Sequence, residues 1–132
     1  MIGNLFLVSA NDPVHNVSLY KSDDRLTSIA YDKKINQIYV GGLRGLYSFQ
    51  FQQKITEKDK ILNCRIEDIK SENGLIYIAT RTEGLIIKNG DVYDTINERK
   101  GLISNICKSI TIKDNIIWVS TNNGISKISY NS

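Results

Sequence analysis

The residues of this chain best suited to acid–base chemistry are two pairs of adjacent carboxylates, Asp23-Asp24 and Glu67-Asp68. Glycoside hydrolases place two such groups on either side of the bond that they break. Asp23 and Asp24 fall in a predicted loop, whereas Glu67 and Asp68 fall in a predicted strand, where neighbouring side chains point to opposite faces. Since no third group is placed to orient either pair, the pattern predicts a solvated loop pair and a strand pair that cannot easily serve one site, rather than a catalytic centre.

Metal and nucleophile chemistry have still less support in the sequence. His15 is the sole histidine, so a site built from several histidines cannot form within one copy. Cys64 and Cys107 stand at different places in the repeats described below, so we expect free thiols rather than a disulfide. The chain has no glycine-rich nucleotide loop. We therefore predict no enzymatic activity, no cofactor and no metal.

Composition favours a soluble globular protein. The 132 residues are 41% hydrophobic and 23% charged, which lies in the globular range. The net charge of +3 is spread in mixed sign along the chain, so no basic stripe could follow a phosphate backbone, and nucleic acid is not an expected partner. No membrane-spanning segment is predicted, and Met1 to Ala10 lacks the basic region of a signal peptide.

One unit of sequence occurs three times. Each copy has a short β-branched run around an aromatic residue, followed after a turn by glycine and an aliphatic residue: Ile38 to Gly42 with Gly45-Leu46, Ile76 to Thr80 with Gly84-Leu85, and Ile117 to Thr121 with Gly124-Ile125. The period is about forty residues, and the units are rich in strand signals, which is typical of β-propeller blades.

Alternating apolar residues and Asn/Gly turns divide each unit into strands. The second unit shows four, and the third shows three. Helical spacing is not sustained anywhere, so we expect almost no helix. The predicted strands are Asn4 to Val8 and Val14 to Tyr20; Leu26 to Tyr31, Gln37 to Gly42, Gly45 to Phe51 and a fourth within Lys54 to Leu62; Arg65 to Lys70, Leu75 to Thr80, Leu85 to Lys88 and Asp91 to Ile96; and Asn105 to Ile112, Ile116 to Ser120 and Ile125 to Tyr130.

The predicted fold class is therefore all-β: a β-propeller segment of about three four-stranded antiparallel blades. Residues 1–24 would form the end of one blade, 25–63 and 64–104 two whole blades, and 105–132 a partial blade. Closed propellers have about four to eight blades, so this ring would be incomplete. Further copies of the chain, in a homo-oligomer, or sequence outside it, in a longer propeller protein, would have to complete the ring.

The third unit resembles a known repeat. Gly101-Leu102-Ile103-Ser104-Asn105, then Ile117-Trp118-Val119-Ser120-Thr121, then Gly124-Ile125, is similar to the two-component regulator propeller repeat, which reads Gly-Leu-Pro-Ser-Asn, Leu-Trp-Ile-Gly-Thr and Gly-Leu. The other two units depart further from it, with Tyr39 and Tyr77 in place of tryptophan and Gly42 in place of threonine.

The resemblance implies the sensor portion of a hybrid two-component system, which lies in the periplasm or elsewhere outside the cytoplasm and often responds to carbohydrate. It implies a ligand-sensing or interaction module with an oligosaccharide or other polar ligand, the kinase lying in a separate region. The sequence predicts no signal peptide in this chain, so a cytoplasmic location stays open. A protein–protein scaffold is the first alternative, and a propeller polysaccharide lyase, disfavoured by the lone histidine, is the second.

Two kinds of residue could contact such a ligand. Trp118 could stack on a sugar, but its equivalence to Tyr39 and Tyr77 favours packing between blades. The better candidates lie in the turns between second and third strands, because loops on a rigid scaffold commonly carry binding residues. These are Arg44, Arg81, Glu83, Asn122 and Asn123.

Overall fold

The structure is a computed structural model that describes residues 3–8 and 17–131, with side chains described from residue 19 onward. Two short 3-10 helices, Glu57–Asp59 and Glu98–Lys100, are the only helices in this described part of the chain. The strands are β1 (Gly3–Val8), β2 (Val17–Ser22), β3 (Leu26–Asp32), β4 (Gln37–Gly42), β5 (Leu46–Phe49), β6 (Lys54–Ile55), β7 (Lys60–Leu62), β8 (Ile66–Glu72), β9 (Leu75–Thr80), β10 (Leu85–Asn89), β11 (Val92–Ile96), β12 (Cys107–Lys113), β13 (Ile116–Thr121) and β14 (Gly124–Ser129).

The strands form four separate sheets. We name them the N-terminal sheet (β1-β2-β6), blade 1 (β3-β4-β5-β7), blade 2 (β8-β9-β10-β11) and blade 3 (β12-β13-β14). Within the blades every pairing is antiparallel and joins strands in chain order. The chain is thus an incomplete propeller-like segment, and the predicted fold class is confirmed.

The connection after blade 1's third strand differs from the sequence prediction. One strand was expected within Lys54 to Leu62, but Thr56 and Asp59 form a capping box, with Thr56 N donating to Asp59 Oδ2 over 2.8 Å, and the resulting 3-10 turn splits the segment. Only β7 completes blade 1, whereas β6 pairs in parallel with β2 of the N-terminal sheet. Strand β2 begins at Val17, and the predicted strand residues Val14 to Asn16, including His15, lie outside the described residues.

Each blade has two faces, which we name by the direction of the chain. The forward face looks toward the next blade and carries Tyr39, Tyr77 and Trp118; the backward face looks toward the preceding sheet and carries Val40, Ile78 and Val119. Tyr77 is buried in one cluster with blade 3's Ile110 and Val119. Tyr39 is buried in a second cluster, which contains Ile66, Ile69, Ile76 and Ile78 of blade 2. Apolar burial between neighbouring faces therefore joins the blades.

Glycine permits the close approach of blades 1 and 2. Gly41 lies on the forward face beside Tyr39, and a Cβ there would overlap the Ile66 side chain of blade 2. The equivalent positions in blades 2 and 3 are Ala79 and Ser120, by strand register. The size of this one residue therefore limits how near the next blade can come.

The first strands of the blades are linked by hydrogen bonds at a repeated bulge. The register shifts at Ser28 in β3, at Asp68 in β8 and at Ser109 in β12. Ser28 Oγ accepts the N–H of Ile69 in blade 2 over 3.0 Å, and Asp68 Oδ2 accepts the N–H of Ile110 in blade 3 over 2.8 Å. At the first two bulges a polar side chain thus binds the backbone of the next blade.

Gly41→Ala is expected to lower the free energy of unfolding by about 1–3 kcal/mol, because the added methyl group overpacks the junction with Ile66. Urea denaturation measures the change. Ser120→Ala is the matched control, because it alters the same register position on a face that no described blade covers, and its effect should stay below about 0.5 kcal/mol. Equal effects of the two substitutions would contradict this account.

Asp68→Ala should cost more, about 2–4 kcal/mol, because the carboxylate also accepts hydrogen bonds from Ser28 Oγ (3.3 Å) and from the N–H of Ile69 (2.9 Å). Urea denaturation again gives the value, and native-state hydrogen exchange should show faster opening at Ile110. Asp91→Ala, at an exposed turn carboxylate, serves as the control. Wild-type exchange at Ile110 in the Asp68 variant would show that this bond does not hold the junction.

Candidate functional site

The turns between second and third strands lie beside the segments that lead into first strands. Leu43 N donates to the carbonyl of Arg25 over 3.1 Å, Arg81 N to that of Arg65 over 3.0 Å, and Asn122 N to that of Ile106 over 3.2 Å. One hydrogen bond thus recurs in all three blades and joins each turn to a connection between sheets. We call this edge of the molecule the turn rim; it consists of residues 23–25, 43–45, 63–65, 81–84, 97–106 and 122–123.

At the blade 1 end of the turn rim, a buried carboxylate organises the turn. Asp24 is 3% exposed, and its Oδ2 accepts hydrogen bonds from Tyr47 Oη over 2.7 Å and from Arg44 N over 3.0 Å. The Arg44 side chain is exposed, donates to the Asp23 carbonyl and has its Nε 3.7 Å from Asp24 Oδ1. These groups border an open cleft of about 350 Å³.

Asp24 explains why blade 1 departs from the repeat at Gly42. In blades 2 and 3 this position is threonine, and the hydroxyls of Thr80 and Thr121 accept the N–H of turn residues Glu83 and Asn123 over 2.9 and 3.1 Å. In blade 1, Asp24 accepts the corresponding N–H, and a side chain at position 42 would overlap its carboxylate. Asp24 therefore replaces the threonine hydroxyl. Sequence reasoning missed this, although the loss of threonine in one repeat was the available signal.

In blade 2, two arginines share one carboxylate. Glu67 Oε1 lies 2.9 Å from Arg65 Nε and 3.9 Å from Arg81 Nη1, while both guanidinium groups are about half exposed. The Glu67 oxygen is buried and makes no aligned hydrogen bond, so charge attraction alone holds it. Glu83 is exposed at the same turn. Arg81 thus retains donors for a bound molecule.

In blade 3, the turn is held through its asparagines. Ser104 Oγ donates to Asn122 Oδ1 over 2.6 Å and accepts the N–H of Ile106 over 3.1 Å. Asn123 is exposed, and its backbone is tied to Thr121. The structure therefore brings all five predicted ligand contacts to one edge, spread over three blades, and does not gather them into one enclosed pocket.

Charge on the turn rim is abundant and nearly balanced. Its six cations are Lys100 and all five arginines of the chain: Arg25, Arg44, Arg65, Arg81 and Arg99. Four carboxylates lie there, Asp23, Asp24, Glu83 and Glu98, and Glu67 at the start of β8 adjoins the rim and lies beside two of the arginines. Arginine offers fixed planar donors, so such an edge presents many hydrogen-bonding groups without a strong net field. A larger cleft of about 560 Å³ opens on the opposite edge, between the Lys33-Lys34 turn and the Asn73-Gly74 turn.

Three of the four carboxylates considered for catalysis have structural partners. Asp24 supports a turn, Glu67 lies beside two arginines, and Asp68 bridges blades. Cys64 and Cys107 are free thiols, and burial raises the pKa of Cys107 to about 11. Among the described residues, no three His, Cys, Asp or Glu side chains gather as a metal site would require.

The fold is similar to that of two solved extracellular domains. The extracellular domain of BT4673 from B. thetaiotaomicron, described as a hybrid two component system, superimposes with a TM-score of 0.68 and 18% identity. A second structure of the extracellular domain of BT4673, there described as a one component system, gives a TM-score of 0.70 and 18% identity. The likeness is one of fold. It covers 96% and 97% of this chain but only 21% of each of those chains.

No family model matches the sequence, and no curated protein matches it. In the described part of the chain, none of the helices has the length and apolar character needed to cross a membrane. The neighbours in structure are extracellular domains of signalling systems, and this chain spans about a fifth of their length.

The Asp24–Tyr47 bond generates a prediction for high pH. Burial, and then the hydrogen bond to Asp24, raise the pKa of Tyr47 above its ordinary value. An unfolded tyrosine titrates near pH 10, so the stabilisation is complete below about pH 10 and is lost as the pH rises further. Tyr47→Phe should therefore cost about 1–3 kcal/mol near pH 7 and flatten the loss of stability above about pH 10.

Urea denaturation at a series of pH values measures both effects. Tyr31→Phe is a matched control, because that phenol is 49% exposed and bonds only to the exposed Asn36 side chain among the described residues. An unchanged pH profile in Tyr47→Phe would contradict the assignment.

Proposed function

We propose that this chain is a non-catalytic sensing segment, part of the extracytoplasmic region of a two-component type sensor, and that its turn rim contacts a polar, hydroxyl-rich ligand such as an oligosaccharide. The observation that carries the proposal is the repeated turn geometry. Three turns, fixed by equivalent hydrogen bonds, present Arg44, Arg81 and Asn123 along one edge.

The chemistry of the edge favours a neutral polar ligand over a polyanion. Its arginines are matched by carboxylates, several of them in direct contact, so an anion would meet little net positive charge. Guanidinium, amide and carboxylate groups together can donate to and accept from neighbouring hydroxyls. The extracellular domains that share this fold belong to signalling proteins, which supports a sensing role outside the cytoplasm.

Rigid blades would transmit the bound state. The turns are tied directly to the segments that lead into the first strands, and those strands are bonded to each other across the blades. A ligand that spans two turns would therefore bias the relative position of two blades, and an associated signalling region would respond to that bias.

Calorimetric titration of the chain with a panel of neutral and acidic oligosaccharides tests the proposal. We expect binding to at least one neutral class, weakened about tenfold or more by Arg44→Ala or by Arg81→Ala, each of which removes exposed donors. Lys34→Ala is the control, because that exposed cation lies on the opposite edge and should leave affinity unchanged.

The result also separates the alternatives. No heat with any saccharide, combined with capture of one defined protein through the same arginines, would replace ligand sensing with the scaffold role. Cleavage of an oligosaccharide of the panel during the titration would instead favour the lyase.

A further inference from the structure

The forward face of blade 3 has no neighbouring blade among the described residues. Trp118 occupies the position of the buried Tyr39 and Tyr77 but is 39% exposed, and Ile125 beside it is 67% exposed. The expectation that Trp118 packs between blades is therefore wrong within one copy. The Trp118 side chain faces the predicted direction, but no described blade covers it.

At the other end of the segment, part of the backward face of blade 1 is also left uncovered by the described residues. The N-terminal sheet covers the part of this face formed by β5 and by Val40 of β4, where Tyr20 packs near Phe49 and where Val40 and Ile55 are buried. The part formed by β3 is open, with Ile29 53% exposed. Ile29, Tyr31, Ile38 and Phe51 line an apolar groove of about 520 Å³ there.

These two surfaces are the two halves of a standard junction in this molecule. Register makes Ile29 the equivalent of Ile69 and Ile110, and makes Ile38 the equivalent of Ile76 and Ile117. Ile69 and Ile76 pack in one cluster with Tyr39, and Ile110 and Ile117 pack in one cluster with Tyr77. The remaining positions of this surface correspond to Leu26 and Val40 in blade 1, which already pack with the N-terminal sheet. The groove on blade 1 is therefore the part of the surface that is open to the aromatic residue of a preceding blade, and Trp118 is such a residue.

The hydrogen bond between first strands has matching halves as well. Ser109 stands at the bulge position of Ser28 and Asp68, and its hydroxyl contacts only Ser120 Oγ, at 2.6 Å, among the described side chains. A hydroxyl oxygen has a second lone pair and can accept another N–H. The N–H equivalent to those of Ile69 and Ile110 belongs to Ile29, at the open groove.

We propose that the forward face of blade 3 binds the backward face of blade 1 in a second copy of this chain, with Trp118 in the Ile29–Ile38 groove and Ser109 Oγ accepting the Ile29 N–H. The contact is head to tail, and two copies close it with two identical junctions. Two copies supply six blades, within the range of closed propellers, whereas three would exceed it. This inference is independent of ligand binding at the turn rim.

The junction between copies is less apolar than the internal ones. Lys127 replaces Ile87, and Ser120 replaces Ala79, on the face around Trp118, and Lys127 Nζ lies 5.5 Å from the centre of the Trp118 ring. We therefore expect a reversible dimer whose population depends on concentration, rather than a permanent one.

Light scattering with size separation, on the full chain up to about 200 µM, tests the assembly at concentrations where micromolar interfaces form. We expect a species of twice the 14.9 kDa chain mass at the upper concentrations. Trp118→Glu and Ile29→Glu should each remain folded by circular dichroism and should weaken the dimer about a hundredfold or more. Tyr93→Glu, at a 40% exposed aromatic residue outside both surfaces, is the control.

Mixing the two variants identifies the contact. Trp118→Glu keeps an intact groove, and Ile29→Glu keeps the tryptophan, so together they can form one intact junction. Because Trp118 is the chain's only tryptophan, its emission reports that junction and should shift to shorter wavelength on mixing. If Trp118→Glu fails to fold, Ile125→Glu combined with Trp118→Phe replaces it, so that only the Ile29→Glu copy carries a tryptophan. A single 14.9 kDa species at every concentration, or no shift on mixing, would overturn the proposal.

Discussion

The structure depends on one constraint: a blade is a thin sheet whose two faces must each be covered by another sheet. Blade 2 meets the constraint fully, since Ile76 and Ile78 pack against blade 1 while Tyr77 and Ala79 pack against blade 3. Its second strand is therefore buried on both faces, and that is why the strand reads as a continuous apolar run rather than an alternation. The repeated aromatic and aliphatic positions follow from this geometry.

Packing alone does not set the spacing of the blades. Burial is non-directional, whereas the bulge side chains Ser28 and Asp68 bind single backbone N–H groups of the next blade and so fix one relative position. Gly41 and Ala79 permit that position by leaving room for the neighbour. Hydrogen bonds and small residues thus set the spacing between the first strands of neighbouring blades. Apolar packing sets the spacing between the strands that follow them.

Sequence reasoning succeeded where the repeat was local and failed where contacts joined different units. Period and turn residues predicted blade strands such as Leu75–Thr80, because those signals lie within one stretch of chain. The parallel pairing of Lys54–Ile55 with β2 depends on a capping turn and on a strand that is distant in sequence, so no local pattern predicts it. The replacement of a threonine hydroxyl by Asp24 is likewise non-local. Trp118 shows a third limit, since register predicts which way a side chain faces but not whether a neighbour is present.

The position of the candidate site follows from the difference between the faces and the edges of the blades. The blade faces carry nearly all of the buried apolar side chains, so residues that are free to meet a ligand are left at the edges. Of the two edges, the turn rim holds every arginine, while the opposite edge carries lysines such as Lys33 and Lys34. Arginine keeps its donors in a fixed plane when one of them is already bound, as in Arg44, whereas lysine offers a mobile point charge. The edge whose backbone is tied to the first strands is therefore also the edge that carries the planar donors on which the proposed ligand contact depends.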